Sequence, residues 1–260
     1  MTDPLAGVVV VVTRPAAQAA RFAAMAEAAG AHPLLFPTIA IEPVVLDAAA
    51  RERLAPDRYD WTVYTSANAV EHAATQLPRP QSTRVASVGK GTARALQERG
   101  IAVSAVPATT ADSEGLLELP SFADLRGQRV LILKGRGGRT LLAEELARRG
   151  AEVAQGEVYE RRRSAADPAA LAALCDACTT GRAVIAATSA EVLAALLELV
   201  PGQRCPALRA APLVVPGARV ATSCGEQGWR GPVIIAASAE DAAMLQAVIT
   251  AAGGSAHGPA

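Results

Sequence analysis

Apolar positions along this chain fall into short β-branched runs separated by longer, alanine-rich stretches in which apolar residues recur at helical spacing. Val8 to Val12 is unbroken valine, which predicts a strand buried on both faces. Pro15 at a first helical position opens a helix that Gly30 stops, and His32 to Phe36 is the next strand, so the chain begins as a βαβ unit. Asp47 caps a short helix, and Trp61 to Thr65 is a strand running into a helix capped by Ser66. The alternation continues with strands at Val85 to Val88, Ala102 to Val106, Arg129 to Leu133 and Ala151 to Val158. Between them the pattern predicts helices at Thr92 to Arg99, about Ser113 to Leu119, and Thr140 to Arg149. Asp167-Pro168 then starts another helix, and Val184 to Ala187, Leu213 to Val215 and Val233 to Ala236 are three further strands, each followed by a helix.

Two segments break this rhythm. Prolines fence both ends of Pro37-Thr-Ile-Ala-Ile-Glu-Pro43, so it can be neither a helix nor an internal sheet strand. Gly156 to Arg163 has the same extended look, and both read as crossings between domains. The boundaries that follow are 1–37 with 164–252 for a discontinuous first domain, 38–45 and 156–163 for the crossing strands, 46–155 for an inserted domain, and 253–260 for a disordered tail. The halves also carry a diverged repeat. Thr65-Ser66 answers Thr188-Ser189; Gly89 to Gly100 and Gly217 to Gly228 both span 11 residues; Gly100 to Leu117 and Gly228 to Leu245 both span 17. Val8 to Gly30 pairs with Val130 to Gly150, but in rotated order, as if one fold were permuted across the crossings. Each domain is expected to hold five strands, with ligands received in a cleft at their carboxyl ends.

Composition narrows the function more than the fold. Lys plus Arg and Asp plus Glu balance at 25 each, which argues against a nucleic-acid or anionic-membrane partner and makes any anion recognition local. Hydrophobic residues at 51% supply ample core for 260 residues. The opening residues lack a basic leader and no apolar run approaches the ~20 residues of a membrane span, so a cytoplasmic protein is expected. Four cysteines do not make a disulfide scaffold. Cys175-Asp-Ala-Cys178 has metal-like spacing but lies late in a helix, where the dipole disfavours thiolates, and is expected to pack rather than ligate. His32, His72 and His257 stand in no recognisable triad order.

Candidate chemistry gathers where strands give way to helices, at Thr13-Arg14, Thr65-Ser66 with Asn68, Gly89-Lys90-Gly91-Thr92, Gly135-Arg136-Gly137-Gly138-Arg139 and Thr188-Ser189. Such positions present free backbone N–H groups and a positive dipole end, a natural place for carboxylate or phosphate. Any one of them could equally be only a cap or a turn. The 135–139 run is neither a Walker A loop nor a full dinucleotide fingerprint. Arg161-Arg-Arg163 is a solvated basic face that could also help hold an anion.

These stretches resemble uroporphyrinogen-III synthase from Val8 to about Val248. The matching residues are Val11-Val-Thr-Arg-Pro15, Tyr59-Asp-Trp-Thr-Val-Tyr-Thr-Ser-Ala-Asn-Ala-Val70, Val88-Gly89 with Thr92, Gly137-Gly-Arg139 with Leu142, Gly150-Ala-Glu-Val153 leading to Val158-Tyr159, and Thr188-Ser189. The resemblance implies two flavodoxin-like or Rossmann-like α/β domains with five-stranded parallel sheets on a two-stranded linker ladder, acting as a monomer without cofactor or metal. It implies cyclisation of the linear tetrapyrrole hydroxymethylbilane, with inversion of the last pyrrole ring and loss of water. Tyr159 then maps to the family's candidate proton donor. Thr13, Arg14, Ser66, Asn68, Gly89, Lys90, Thr92, Arg136, Gly138, Arg139 and Ser189 would bind the substrate's carboxylates. One family threonine does not carry over, since Val220 stands where its hydroxyl is expected. The reading weighed against this one is a non-catalytic, two-lobed anion-binding or regulatory protein. A sugar- or nucleotide-phosphate enzyme would want a phosphate loop that the chain lacks.

Overall fold

The computed structural model describes residues 3–108, 113–138 and 140–255, and the chain divides into two compact units, 1–40 with 162–260 and 41–161. The first unit opens with β1 (Val9–Val12), α1 (Ala16–Ala28) and β2 (His32–Leu35). It closes with α7 (Pro168–Thr179), β8 (Ala183–Ala186), α8 (Ala190–Leu199), β9 (Leu213–Val215), α9 (Ala218–Glu226), β10 (Val233–Ile235) and α10 (Asp241–Ser255). Between these halves come β3 (Ile39–Pro43), α2 (Ala48–Arg53), β4 (Trp61–Tyr64), α3 (Ala67–Ala74), β5 (Arg84–Ser87) and α4 (Lys90–Glu98). The second unit ends with α5 (Ser113–Leu117), β6 (Arg129–Gly135), α6 (Leu141–Arg148) and β7 (Glu152–Arg163).

Each unit is built on a five-stranded sheet, ordered β10-β9-β8-β1-β2 in the first and β3-β7-β6-β4-β5 in the second. The valine run of β1 lies between β2 and β8, parallel to both, with Val9 opposite His32 on one side and Ala183 on the other. Strand β4 lies likewise between β5 and β6. Helices cover both faces, which is why these central strands are apolar throughout rather than alternating. In the second unit Trp61 and Val63 pack on one face with Phe122 and Leu146, while Tyr64 enters the core on the other with Val70, Leu96 and Ile101. In the first unit Val10 and Val12 pack with Phe22, Val214 and Met244.

The permuted repeat is visible in the strand order. Equating β8 with β4, β9 with β5, β1 with β6 and β2 with β7 gives the same lateral order in both sheets. The position of β10 is then filled in the second unit by Ala105, bridged to Ala86. That bridge corrects the strand expected at Ala102 to Val106. Alanine and serine there offer little side chain to pack, and Pro107 has no N–H to extend a ladder. The fifth strand is instead β3, at the sheet edge, where Pro43 costs no ladder bond. A second correction concerns the tail, since α10 runs through Gly253 to Ser255 and extends past the point where disorder was expected. Pro15 precedes its helix as the N-cap, one position earlier than expected.

Candidate functional site

The carboxyl ends of the second unit's strands open onto a cavity of about 430 Å³. Three pieces of chain shape it: the Thr65-Ser66 turn after β4, the glycine turn from 135 to 138 after β6, and Tyr159 of β7. Ser66 is the N-cap of α3 because its hydroxyl accepts from the N–H of Ala69 at 3.1 Å. The same oxygen lies 3.0 Å from the Tyr159 hydroxyl. Since one Ser66 lone pair is taken by Ala69, the remaining hydrogens and lone pairs of the two hydroxyls are shared between themselves and the cavity. Tyr159 is only 2% exposed, yet it lines the cavity, so its ring is fixed by packing while its oxygen stays at the surface of the site.

Gly135 explains how so large a ring fits there. A Cβ on Gly135 would lie 2.6 Å from Tyr159 Cζ and 3.0 Å from its oxygen. The Tyr159 carbonyl accepts from the N–H of Arg136 at 2.7 Å, which holds the two strand ends together. The His72 ring stacks on Tyr159 with centroids 5.8 Å apart, and the Arg161 guanidinium stands 5.7 Å from the tyrosine centroid. Lys134 and Gln155, paired at 3.3 Å, complete the polar lining.

The glycine turn is already engaged with a carboxylate of its own chain. Gly137 donates its N–H to Glu157 at 3.1 Å, and the Arg136 guanidinium pairs with Glu157 at 3.4 Å and Glu160 at 2.8 Å. Gly137 and Gly138 have φ of 70° and 81°, a conformation that side-chain-bearing residues rarely adopt. The turn thus holds the chain's own Glu157 carboxylate through a backbone N–H and an arginine.

The other expected site residues are distributed unevenly. In the second unit Gly89 caps α4 in an extended conformation, Lys90 is exposed on the first turn, Thr92 is buried, and Asn68 lies in the first turn of α3. In the first unit Thr13 is fully buried, its hydroxyl donated to the Ala186 carbonyl at 2.7 Å, so it fastens β1 to β8. Arg14 pairs with Asp241 and lies over the Phe22 ring at 4.8 Å. Ser189 caps α8 by accepting from the N–H of Val192 at 3.2 Å. Val220 sits in the first turn of α9, its carbonyl accepting from Ser223 and Cys224. Arg139 lies outside the described residues. Sequence reasoning missed the contact of His72 with Tyr159 and the contribution of Lys134 and Gln155. The one available signal was that Gln155, Tyr159 and Arg161 share a parity along an extended strand.

Cys175 and Cys178 lie late in α7, as expected, but Cys205 is brought within hydrogen-bond reach of both. All are free thiols, and burial pushes Cys175 and Cys178 up to about 11, which makes them packing groups at neutral pH. Among the described residues no group of three or more His, Cys, Asp or Glu is placed to hold a metal ion, and no helix is long and apolar enough to cross a membrane.

The family model for uroporphyrinogen-III synthase HemD matches residues 20–246. The chain is 33% identical to the uroporphyrinogen-III synthase of Salmonella typhimurium over 257 residues, covering 92% of this chain and 99% of that one. The Escherichia coli enzyme is 31% identical over 246 residues with the same coverage. The chain belongs to the uroporphyrinogen-III synthase family. A solved structure of uroporphyrinogen III synthase from Thermus thermophilus, at 25% identity and a TM-score of 0.60, covers 95% of this chain and is itself covered to 99%. The family's activity is that of a cyclising lyase in tetrapyrrole biosynthesis, and the non-catalytic anion-binding reading is not favoured.

Proposed function

We propose that this protein closes hydroxymethylbilane into uroporphyrinogen III, inverting the terminal pyrrole ring and releasing water, with the cavity of the second unit as a principal part of the site. The reading rests on the Ser66–Tyr159 hydroxyl pair lining a cavity bordered by Lys134, Arg161 and a turn that accepts carboxylates. The substrate is a linear tetrapyrrole with acetate and propionate arms. The backbone N–H of Gly137 and the nearby cations suit those arms without any net positive charge on the protein.

The chemistry asks for little beyond folding and proton delivery. Breaking the carbon–oxygen bond of the hydroxymethyl group leaves a cation delocalised into its pyrrole ring, and the hydroxyl departs as water once it gains a proton. In this reading Tyr159 donates to the departing oxygen while Ser66, 3.0 Å away, orients the phenol, and the phenolate recovers a proton from the one that the last ring's free α-carbon loses when the macrocycle closes. Attack by the substituted carbon of the last ring then forms a spiro intermediate, whose reopening and reclosure invert that ring. The remaining work is orientation, which can supply several kcal/mol when reacting atoms are held near contact.

We read the first unit's strand order, 2-1-3-4-5, as flavodoxin-like and the second unit's β5-β4-β6-β7 as a permuted version of four of those strands; in such sheets ligands lie outside the carboxyl ends of strands. The substrate is a small molecule, and the working unit is taken as a cytoplasmic monomer.

The experiment is an isomer assay with freshly made hydroxymethylbilane, oxidising the products to porphyrins and resolving them. The type III isomer is expected in proportion to enzyme. Only the type I isomer of spontaneous closure, at every enzyme concentration, would overturn the proposal. Tyr159→Phe is expected to lower kcat about a hundredfold with KM little changed, the scale of a lost general acid. Unchanged turnover would leave Tyr159 a packing residue.

A further inference from the structure

A second cavity of about 240 Å³ opens between α3 with the segment after it and the residues that follow α4, and shares no lining residue with the first. Val70, Leu77 and Ile101 give it an apolar wall, Tyr64 lines it from the sheet, and Arg79 and Arg99 are the charged residues of its lining. No carboxylate lines it. Arg79 is tied to the Gly100 carbonyl, and Arg99 is the exposed residue that ends α4. Two guanidinium groups beside one opening repel each other, and an anion between them relieves that repulsion.

Tyr64 is the second observation that points to a ligand. It is only 3% exposed, and a buried tyrosine hydroxyl ordinarily finds a partner. Here desolvation alone shifts the phenol, with no hydrogen bond contributing. The residue lines the cavity. Burial pushes this phenol up to about 12, so at neutral pH it is an uncharged group able both to donate and to accept.

We propose that this cavity binds a single-ring aromatic carboxylate, with the acid group on Arg99 and Arg79, the ring between Val70, Leu77 and Ile101, and a polar substituent on the opposite end at the Tyr64 hydroxyl. The volume falls below the roughly 300–1,000 Å³ usual for larger organic ligands, which limits the occupant to about one ring. Tyr64 immediately precedes the Thr65-Ser66 turn, so occupancy would be felt two residues from the Ser66–Tyr159 pair. The assignment is independent of the reaction proposed above.

The test is calorimetric titration of the intact protein with 4-hydroxybenzoate, benzoate and phenol, alongside methyl NMR. 4-Hydroxybenzoate is expected to bind saturably and to shift Val70, Leu77 and Ile101 methyls. Phenol on the native protein, or 4-hydroxybenzoate on Arg99→Ala, should bind about tenfold more weakly, the scale of one charge-assisted contact. Tyr64→Phe should weaken 4-hydroxybenzoate about threefold to tenfold while leaving benzoate unchanged. Absence of saturable binding overturns the proposal. So does binding indifferent to both substitutions, or shifts confined to Leu142 in the first cavity.

Discussion

Gly135 and Glu157 show how single residues set the site at opposite ends of the energy scale. The contact from a Cβ at Gly135 would be with Tyr159 Cζ, Cε2 and the hydroxyl at 2.6, 2.8 and 3.0 Å. That ring is buried and stacked on His72, so it cannot swing aside as a flexible side chain would. We expect Gly135→Ala to lower kcat/KM by roughly a hundredfold, the usual consequence of misplacing a reacting group by about 1 Å. Chemical denaturation should show a cost of only about 1–3 kcal/mol, as for other overpacked sites. A kcat/KM within twofold of the native value would mean that the position of Tyr159 does not matter. Glu157 acts by competition, since its carboxylate holds the Gly137 N–H and Arg136 that a substrate arm would use. With both partners of that ion pair partly exposed, its strength is about 0.2–1 kcal/mol. Glu157→Gln should therefore lower KM by no more than about fivefold and leave kcat alone. A raised KM in steady-state kinetics would instead make Glu157 a support of the turn.

Among the elements, the turn after α3 is organised by one carboxylate that takes three of its N–H groups. Asp57 accepts from the N–H groups of Gln81 and Ser82 at 2.9 Å and of Thr83 at 3.2 Å, which fixes the entry to β5. Desolvation raises the Asp57 pKa, but the three backbone bonds outweigh it and the carboxyl titrates below its ordinary value. A depressed folded-state pKa contributes stability that is present above the unfolded value near 4 and lost as pH falls through the folded one. Asp57→Ala should cost about 1–2 kcal/mol in urea unfolding at pH 7, and the gap to the native protein should narrow on acidification below pH 4. A pH-independent gap would assign the cost to packing. Capping chemistry of this short-range kind was legible in the sequence: Asp47, Ser66 and Asp167 each cap the helix expected of them. The valine run of β1 was legible for the same reason, because its pattern depends on burial alone. Ala102 to Val106 was not, because a one-residue bridge is decided by what its neighbour presents. The Ser66–Tyr159 and Arg14–Asp241 pairs join residues 93 and 227 positions apart, and no local pattern announces such partners.

At the scale of the whole molecule, the permuted strand order and the segregation of the cores lead to one further expectation. The core around Phe22 and Met244 belongs wholly to 1–40 with 162–260, and those around Tyr64 and Trp61 wholly to 41–161. Each unit therefore carries its own apolar burial, the main driving force for folding. The chain ends left by separating them are already close. Ser164 donates its N–H to the Thr38 carbonyl at 3.1 Å in the first unit, and Val44 donates to Val158 at 3.1 Å in the second. Loop closure depends only weakly on length, so joining residue 40 to residue 162 through a short glycine-serine linker should cost the first unit little, and residues 41–161 should need no linker at all. Both proteins are expected to unfold cooperatively in urea, with denaturant sensitivities in proportion to the surface each buries. The 41–161 protein should also retain the Tyr159 environment seen by near-ultraviolet circular dichroism. A broad, non-cooperative transition in either would show that its core depends on the other unit, and that the repeat survives as topology without independent stability.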